Sequence, residues 1–292
     1  MPRKLYWIHA LTPTHPGIGR GVGYIDLPVE RDRVTGWPVI RASSVKGVIA
    51  DKYGASDQKR TQDKFLRAAF GLSSAAAGGT AGSLLFTDAY LVALPIRSFR
   101  GTFAWCTSPR CLGSLSRLMK LTGRSDPPQV PTVAKEQEAL HTSESVLLED
   151  GQIFLEDLDL NARQSQDADA WAKTIADAVF GTDQSWADAF RKRFAILHDD
   201  LFDFLAETGT EVHTRVRIDP DTGTVAHGAL WTEECLPAET ILAGMVACDR
   251  VYGVDGDIAP NDLMDRYAKG ELSLQIGGNA TIGQGLVRCV FT

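Results

Sequence analysis

No run of eighteen consecutive apolar residues occurs in these 292 residues, so the sequence holds no stretch long enough to span a bilayer as a helix. The amino terminus, MPRKLYWIHALTP, is basic but meets proline too soon for a secretory signal. The expectation is a cytoplasmic protein with no membrane partner. Cysteine is scarce as well: five residues, Cys106, Cys111, Cys235, Cys248 and Cys289, with no CxxC pair. That odd, scattered set argues against a zinc ribbon or a disulfide framework and predicts reduced, mostly buried thiols. A basic excess is missing too, the formal net charge being −7. Attraction of nucleic acid by overall charge is thereby disfavoured, although a local positive track needs no positive total. Several catalytic signatures are absent: GxxxxGK[ST], HEXXH, GxSxG, and a GxGxxG placed between a strand and a helix.

What is present is ordinary globular composition, 44% hydrophobic and 23% charged, enough to build a sizeable core. The charge is unevenly spread. Residues 31–67 hold Arg31, Arg33, Arg41, Lys46, Lys52, Lys59, Arg60, Lys64 and Arg67, whereas residues 149–203 are rich in Asp and Glu. A phosphate-bearing partner belongs on the basic part.

Lys4 to Leu11 reads as a strand with apolar residues on both faces, as for a central strand covered on each side. Val45, Val48, Ile49 and Tyr53 predict a helix from about Ser44, closed by Gly54, and a second helix is expected from Gln62 to Phe70. Ser73 to Gly82 reads as a soft small-residue loop, and Ser83 to Leu94 as a strand. Pro109 to Leu121 should be a helix capped by Ser108. Asp126 to Pro131 reads as an extended linker, and a hairpin is expected about Glu149-Asp150-Gly151. Residues from about Asp167 to Glu207 read as acidic and helical. Asp219 to Gly223 is a turn between β-branched runs. Further strands are expected at Thr240–Cys248, Leu272–Ile276 and the carboxyl end. Strands at both ends around an inserted middle predict an α+β sheet domain whose terminal strands pair.

Three stretches carry chemistry. In LTPTHPGIGRGVGYIDLP, Asp26 follows two glycines; it is either a turn aspartate accepting backbone hydrogen bonds or a carboxylate for a hard divalent cation or a nucleophile's proton. His15 opens the same loop and suits acid–base work, stacking on a base, or capping a turn. In Ser43-Ser44-Val45-Lys46-Gly47 either serine can cap the helix, whose free N–H groups attract phosphate oxygens. Lys46 in the first turn opposes the helix dipole, which an anionic ligand would relieve. Gly277 to Gly285 packs four glycines into nine residues, as a flexible turn or a site of close backbone approach.

Together, LTPTHPGIGRGVGYIDLPVERDRVTGWPVIRASSVKGVIAD and LQIGGNATIGQGLVRC, with LLFTDAYLVALPIRSFRGTFAWCTSP and IDPDTGTVAHGALWTEECLP between them, resemble the RAMP superfamily of CRISPR-associated proteins. More narrowly they are similar to the repeated backbone subunit, the fourth Cmr subunit, of type III-B effector complexes. The likeness spans the chain except for roughly residues 122–205. It implies an RRM-like, ferredoxin-like palm, mainly from about 1–100 and 208–292, an inserted, largely helical acidic subdomain at about 106–207, and a β-hairpin thumb from about Arg215 to Glu233. It implies as partners a CRISPR guide RNA, a target RNA, further copies of the chain stacked head to tail, and other Cmr-complex subunits. Target cleavage is expected at Asp26 with a divalent metal, Mg2+ or Mn2+, by in-line attack of the RNA 2′-hydroxyl, with His15 and Glu234 as auxiliaries. Guide contacts are expected from Arg41, Ser43, Ser44, Lys46, Gly277, Gly278, Gly283 and Gly285. Two other readings stay open: a non-catalytic RNA-binding scaffold subunit, and a stand-alone guide-processing RAMP ribonuclease.

Overall fold

The structure, a computed structural model, describes residues 1–292 apart from 20, 22, 74–78, 255 and 257. Half of the small-residue loop read at Ser73 to Gly82, residues 74–78, thus lies outside the described residues, and Thr80–Ala81 at its end form a short strand paired with Gly71–Leu72. The first half of the chain supplies β1 (Arg3–Ala10), β2 (Val39–Ile40), α1 (Ala42–Lys52), α2 (Asp57–Gln62), α3 (Lys64–Phe70), β3 (Gly71–Leu72), β4 (Thr80–Ala81), β5 (Leu85–Phe86), β6 (Ala89–Arg97), β7 (Phe103–Thr107) and α4 (Pro109–Leu121). Next come β8 (Glu138–His141), β9 (Leu148–Glu149), β10 (Gln152–Leu155), β11 (Leu158–Gln164), α5 (Gln166–Phe180), α6 (Gln184–Arg193), β12 (Phe194–Leu197) and α7 (Asp199–Thr208). The last part holds β13 (Glu211–Ile218), β14 (Val225–Cys235), β15 (Ile241–Ala247), α8 (Pro260–Tyr267), β16 (Glu271–Gln275) and β17 (Leu286–Phe291).

A mixed sheet of thirteen strands runs β16-β17-β1-β15-β6-β7-β12-β8-β11-β10-β9, with β2 added on β6 and β5 on β15. β1 lies between β15 and β17, so the two ends of the chain pair as expected. Its double apolar pattern has a direct cause. Tyr6 and Ile8 pack against α1, α3 and α8 through Val45, Ile49, Phe70 and Met264, while Leu5 and Trp7 face α4 and α5 through Leu112, Met119, Trp171 and Ile175. Helices therefore cover both faces of the sheet's centre, and fully buried side chains of this size each contribute roughly 1.5–3 kcal/mol. Gly244 stands opposite Tyr6, where an added Cβ would meet the Tyr6 ring at 2.4 Å. That gap lets the Tyr6 hydroxyl donate to the Thr87 carbonyl at 2.6 Å.

Four local expectations change. α1 begins at Ala42 with Arg41 as its N-cap, so neither Ser43 nor Ser44 caps it. The helix expected over Gln62–Phe70 starts two residues later, as α3, where the Asp63 carboxylate accepts from Phe65 and Leu66 N–H, and a separate helix, α2, precedes it over Asp57–Gln62. The strand expected from Ser83 to Leu94 divides into β5 and β6, which frees Asp88 between them for tertiary hydrogen bonds. The acidic helical stretch is interrupted by β12, four buried residues that pair parallel to β7 and antiparallel to β8. Residues 106–207 accordingly carry strands β8–β12 that continue the main sheet as well as helices α4–α7. A short apolar run such as Phe194–Leu197 has no periodicity that separates strand from helix. All five cysteines are buried free thiols, and burial pushes Cys111 up to about 12.

Outside that sheet, β13 and β14 form a two-stranded hairpin closed by the Asp219–Gly223 turn, and Leu27 bridges to Glu233 at the base of β14. Asp219 accepts from the N–H groups of Asp221 and Thr222. Val216, Ile218, Val225 and Leu230 are exposed along it, whereas Glu233, Glu234 and Cys235 at its base are buried. The hairpin is thus anchored at one end and open to solvent along most of its length.

Candidate functional site

Two loops and the hairpin base meet at one end of the sheet. The first loop leaves β1 and is fastened at several points. Thr14 and Leu236 exchange both backbone hydrogen bonds, at 2.9 and 2.8 Å. Further on, Leu27 N–H donates to the Thr232 carbonyl (3.0 Å) and Glu234 N–H to the Leu27 carbonyl (2.9 Å). In between, Glu30 N–H donates to the Pro16 carbonyl at 2.7 Å, so the loop arms pair and its tip carries Asp26.

Asp26 is exposed and gripped by one residue. Its Oδ2 accepts from Thr232 N–H at 2.8 Å and from Thr232 Oγ1 at 3.1 Å, while Asp26 N–H donates to Thr232 Oγ1 at 3.0 Å. Oδ1 has no protein hydrogen bond among the described residues. The turn-aspartate reading and the reactive-carboxylate reading are therefore compatible: Thr232 orients the group through one oxygen, and the other is left without a protein partner among the described residues.

His15 is buried, and its Nδ1 donates to the Glu234 carbonyl at 2.6 Å. Since a carbonyl only accepts, Nδ1 carries the proton in this arrangement and Nε2 is an acceptor when the ring is neutral. A Cβ at Gly17 would lie 2.3 Å from Nε2, so the glycine makes room for the ring. Glu234, expected as a catalytic auxiliary, has a different position. Its Oε2 accepts from Val29 N–H (2.9 Å), and its Oε1 accepts from Arg31 Nη2 (2.5 Å) and Thr210 Oγ1 (2.8 Å). Buried and with both oxygens engaged, it ties the first loop to the hairpin base rather than presenting a free acid or base.

Glu233 points the other way from the same strand. Oε2 accepts from Arg215 Nε (3.2 Å) and from Asn279 Nδ2 (2.7 Å), and Oε1 from Trp231 Nε1 (2.7 Å). Burial would raise its carboxyl, but the Trp231, Arg215 and Asn279 hydrogen bonds outweigh it and hold the group below the usual glutamate range. Through Asn279 this residue fastens the glycine-rich carboxyl-terminal loop.

That loop also docks on the first. Gly278 N–H donates to the His15 carbonyl (3.1 Å) and Gly285 N–H to the Pro13 carbonyl (2.9 Å). Gly277 has φ +86°, and a Cβ there would lie 2.1 Å from the His15 carbonyl oxygen. Gly285 (φ +76°) is equally close to the Ile276 carbonyl, whereas Gly283 (φ +82°) faces open space. Close approach therefore explains Gly277 and Gly285, but the approaching group is the protein's own backbone.

The expected phosphate contacts fall on two sides of α1. Arg41, Ser44, His15, Glu30, Gly277 and Gly278 line one polar cavity of about 340 Å³. There Arg41 is paired with Glu30, and with Asp88 at 3.0 Å, while Asp88 Oδ1 accepts from Ala42 N–H at 2.7 Å. The first N–H of α1 is thus met by a side chain, and these carboxylates raise Arg41 above its ordinary value. Ser43 and Lys46 line a second cavity of about 470 Å³ on the other side. Lys46 Nζ donates to the Leu84 carbonyl at 2.8 Å, and burial, helped by the Arg60 charge, holds its amine below the usual lysine value. Among the described residues Lys46 has no carboxylate partner. Thr232, Glu233 and Asn279 had no signal in the sequence, because their roles arise from segments more than forty residues apart.

Among the described residues no three His, Cys, Asp or Glu side chains are grouped to hold an ion. Asp26 offers one oxygen where Mg2+ or Mn2+ takes about six ligands, so these donors do not fit a resident metal centre. No helix among the described residues is long and apolar enough to cross a membrane.

Comparison with known proteins places this arrangement. The RAMP superfamily model matches residues 7–288. The chain belongs to the RAMP superfamily. Within it, the chain is 34% identical over 295 residues to the CRISPR system Cmr endoribonuclease Cmr4 of Pyrococcus furiosus, covering 99% of this chain and 95% of that one. It is 24% identical to the CRISPR system CMR subunit Cmr4 of Saccharolobus solfataricus, over 97% and 94% of the two chains. The crystal structure of oligomeric Cmr4 from Pyrococcus furiosus superposes with a TM-score of 0.74 at 26% identity, covering 100% of this chain and 98% of that one. A chain of the type III-B Cmr-beta complex bound to cognate target RNA has the same fold, with a TM-score of 0.70 at 21% identity over 100% and 97% of the chains. The resemblance read from the loop and strand segments is therefore borne out for this RAMP chain, with its large mixed sheet.

Proposed function

We propose that this RAMP chain is a guide-RNA-binding backbone subunit of a type III-B CRISPR effector complex, working in the cytoplasm, and that it cleaves complementary target RNA at regular intervals. The observation that carries the catalytic part is the Asp26 carboxylate, fixed through Oδ2 by Thr232 with Oδ1 unengaged, at the base of a solvent-open hairpin. The 34% identical relative is named an endoribonuclease, which supports an RNase reading. In this proposal residues 1–100 and 208–292 make the RRM-like palm, 106–207 the inserted subdomain, and β13–β14 the thumb.

The hairpin's exposed Val216, Ile218, Val225 and Leu230 suit a wedge that interrupts the guide–target duplex, since a lone two-stranded ribbon with apolar faces gains by being covered. A target nucleotide splayed there brings its own nucleophile, the 2′-hydroxyl. Its oxygen attacks the adjacent phosphorus in line as the bond from phosphorus to the 5′-oxygen breaks. The 2′ proton passes to Asp26, and the departing 5′-oxygen takes a proton from water. The products are a 2′,3′-cyclic phosphate and a 5′-hydroxyl. His15 and Glu234 hold the loop that carries Asp26 rather than exchange protons. We further propose that the Mg2+ or Mn2+ implied by the resemblance arrives with RNA phosphates, because among the described residues Asp26 is not grouped with other metal-ligating side chains. Guide phosphates sit against Ser43 and Lys46, with Arg41, Ser44 and the Gly277–Gly285 loop on the neighbouring wall. Copies of the chain stack head to tail, with other Cmr subunits, along the guide.

The deciding experiment is cleavage of guide-complementary RNA by the assembled complex, wild type against Asp26→Ala. Loss of cleavage with target binding retained supports the reading. Persistent cleavage moves the chain to the scaffold class, which the Thr232 hydrogen bonds to Asp26 also suit. A monomer or dimer that processes repeat RNA without other subunits, seen by mass analysis of the protein with its RNA, would favour the stand-alone ribonuclease instead.

A further inference from the structure

The cavity beside α1 contains more than the Lys46 amine. Ser43, Lys46, Asp249, Arg250 and Tyr252 share its wall, and its volume is about 470 Å³, within the roughly 300–1,000 Å³ usual for small-molecule sites. The charge there is unbalanced. Arg31 and Arg41 are each matched by buried or half-buried carboxylates, but among the described residues Lys46 and Arg250 have no ion pair. Lys46 spends one donor on the Leu84 carbonyl and keeps two. Among the described residues lining the cavity, Asp249 is the one carboxylate beside the two cations.

Arg250 is also held in a specific way. Its guanidinium lies over the Tyr252 ring at 4.8 Å from the centroid, and its Nε donates to the Tyr252 hydroxyl at 2.5 Å. Tyr252 is in turn fixed through its backbone N–H, which donates to Ser83 Oγ at 2.8 Å. The result is an exposed cation on an aromatic plate, fixed in the wall of the cavity that Lys46 also lines. A guanidinium–aromatic stack offers a flat face to a nucleobase and N–H donors to a phosphate.

We infer that Arg250 and Tyr252 form the second half of a ribonucleotide site whose first half is Lys46 with Ser43, so that one guide-strand nucleotide is held by its phosphate at Lys46 and by its base or following phosphate at the Arg250–Tyr252 stack. The inference rests on the guide-holding reading of Lys46 given above. It adds residues some two hundred positions away in sequence, and it assigns a stacking contact to a site otherwise read as purely electrostatic.

The test is guide-RNA affinity over a salt series for the wild-type protein and for Lys46→Ala, Arg250→Ala, Arg250→Lys, Tyr252→Ala and Tyr252→Phe, each checked by circular dichroism. Arg250→Ala should weaken binding about tenfold and lower the salt slope by about one, as for a lost phosphate contact. Arg250→Lys should keep the slope. Tyr252→Ala should weaken binding about fivefold or more with the slope unchanged, and Tyr252→Phe, which keeps the ring but frees Arg250 Nε, should weaken it less than Tyr252→Ala does. Ultraviolet crosslinking of a thiouridine-bearing guide should map adducts to Tyr252. If Lys46→Ala weakens binding while the Arg250 and Tyr252 variants and the crosslink map do not respond, this inference is overturned and the guide-holding reading stands. If Lys46→Ala has no effect either, both fall.

Discussion

Asp26 and Thr232 share three hydrogen bonds across 206 residues of sequence, two received by Asp26 Oδ2 and one given by its own N–H. The carboxylate proposed for cleavage is thus oriented by the strand that forms the hairpin, not by its own loop.

The Thr232 hydroxyl takes part in two of those bonds, and Thr232→Val removes both while leaving the backbone N–H. The expected outcome is a cleavage rate about tenfold lower with unchanged target affinity, since misplacing a reacting group by a fraction of an ångström costs orientation rather than binding. Thr232→Ser should restore the rate. Single-turnover cleavage with the assembled complex measures both. A fall in affinity matching the fall in rate would mean that Thr232 supports the fold alone.

Glu234 is the buried member of an ion pair whose other partner, Arg31, is a quarter exposed. Glu234→Ala leaves Arg31, Thr210 and Val29 N–H without their acceptor and should cost about 2–3 kcal/mol in urea unfolding, the exposure of Arg31 softening the full penalty of breaking a buried pair. Glu234→Gln, which keeps an acceptor oxygen, should lose less. Were Glu234 a proton carrier instead, Gln would abolish cleavage at full stability.

Two glycines of the carboxyl-terminal loop have nearly the same φ and different surroundings. Gly283→Ala faces open space and should cost only the left-handed backbone strain, about 1 kcal/mol. Gly277→Ala also drives a methyl into the His15 carbonyl and should cost at least about 2 kcal/mol, with loosening of the Gly278–His15 contact visible by hydrogen exchange. Equal effects at both sites would contradict the docking of the two loops.

Lys46 gives a pH dependence with a defined sign. Its amine is held below the 10.5 of an ordinary lysine by burial and by Arg60, so the folded chain binds fewer protons there than the unfolded one. As pH rises through the window between that lowered value and 10.5, fold stability gains. Guide affinity should fall in the same window, because the free protein loses the charge that meets phosphate. In Lys46→Arg, affinity should hold to higher pH, since the guanidinium keeps its proton. A wild-type affinity flat to pH 10.5 would remove Lys46 from the guide contacts.

Glycine and proline punctuation, the double apolar pattern of Lys4–Leu11, the Ser108–Pro109 start of α4 and the Asp219–Gly223 turn were legible in the sequence because each depends on neighbours within one turn or one pleat. So were the terminal strand pairing and the segments that resemble RAMP proteins. Asp26 stood out as a lone carboxylate after glycines, but local chemistry left its role open. What required the tertiary structure was every long-range partner. Thr232 orients Asp26, Glu234 occupies Arg31, Asp88 meets the start of α1 where Ser43 and Ser44 were expected to act, and Phe194–Leu197 becomes a strand because β7 and β8 leave a place between them. Sequence periodicity encodes which face of an element is apolar, while hydrogen-bond partners are chosen by which groups the folded chain removes from water together.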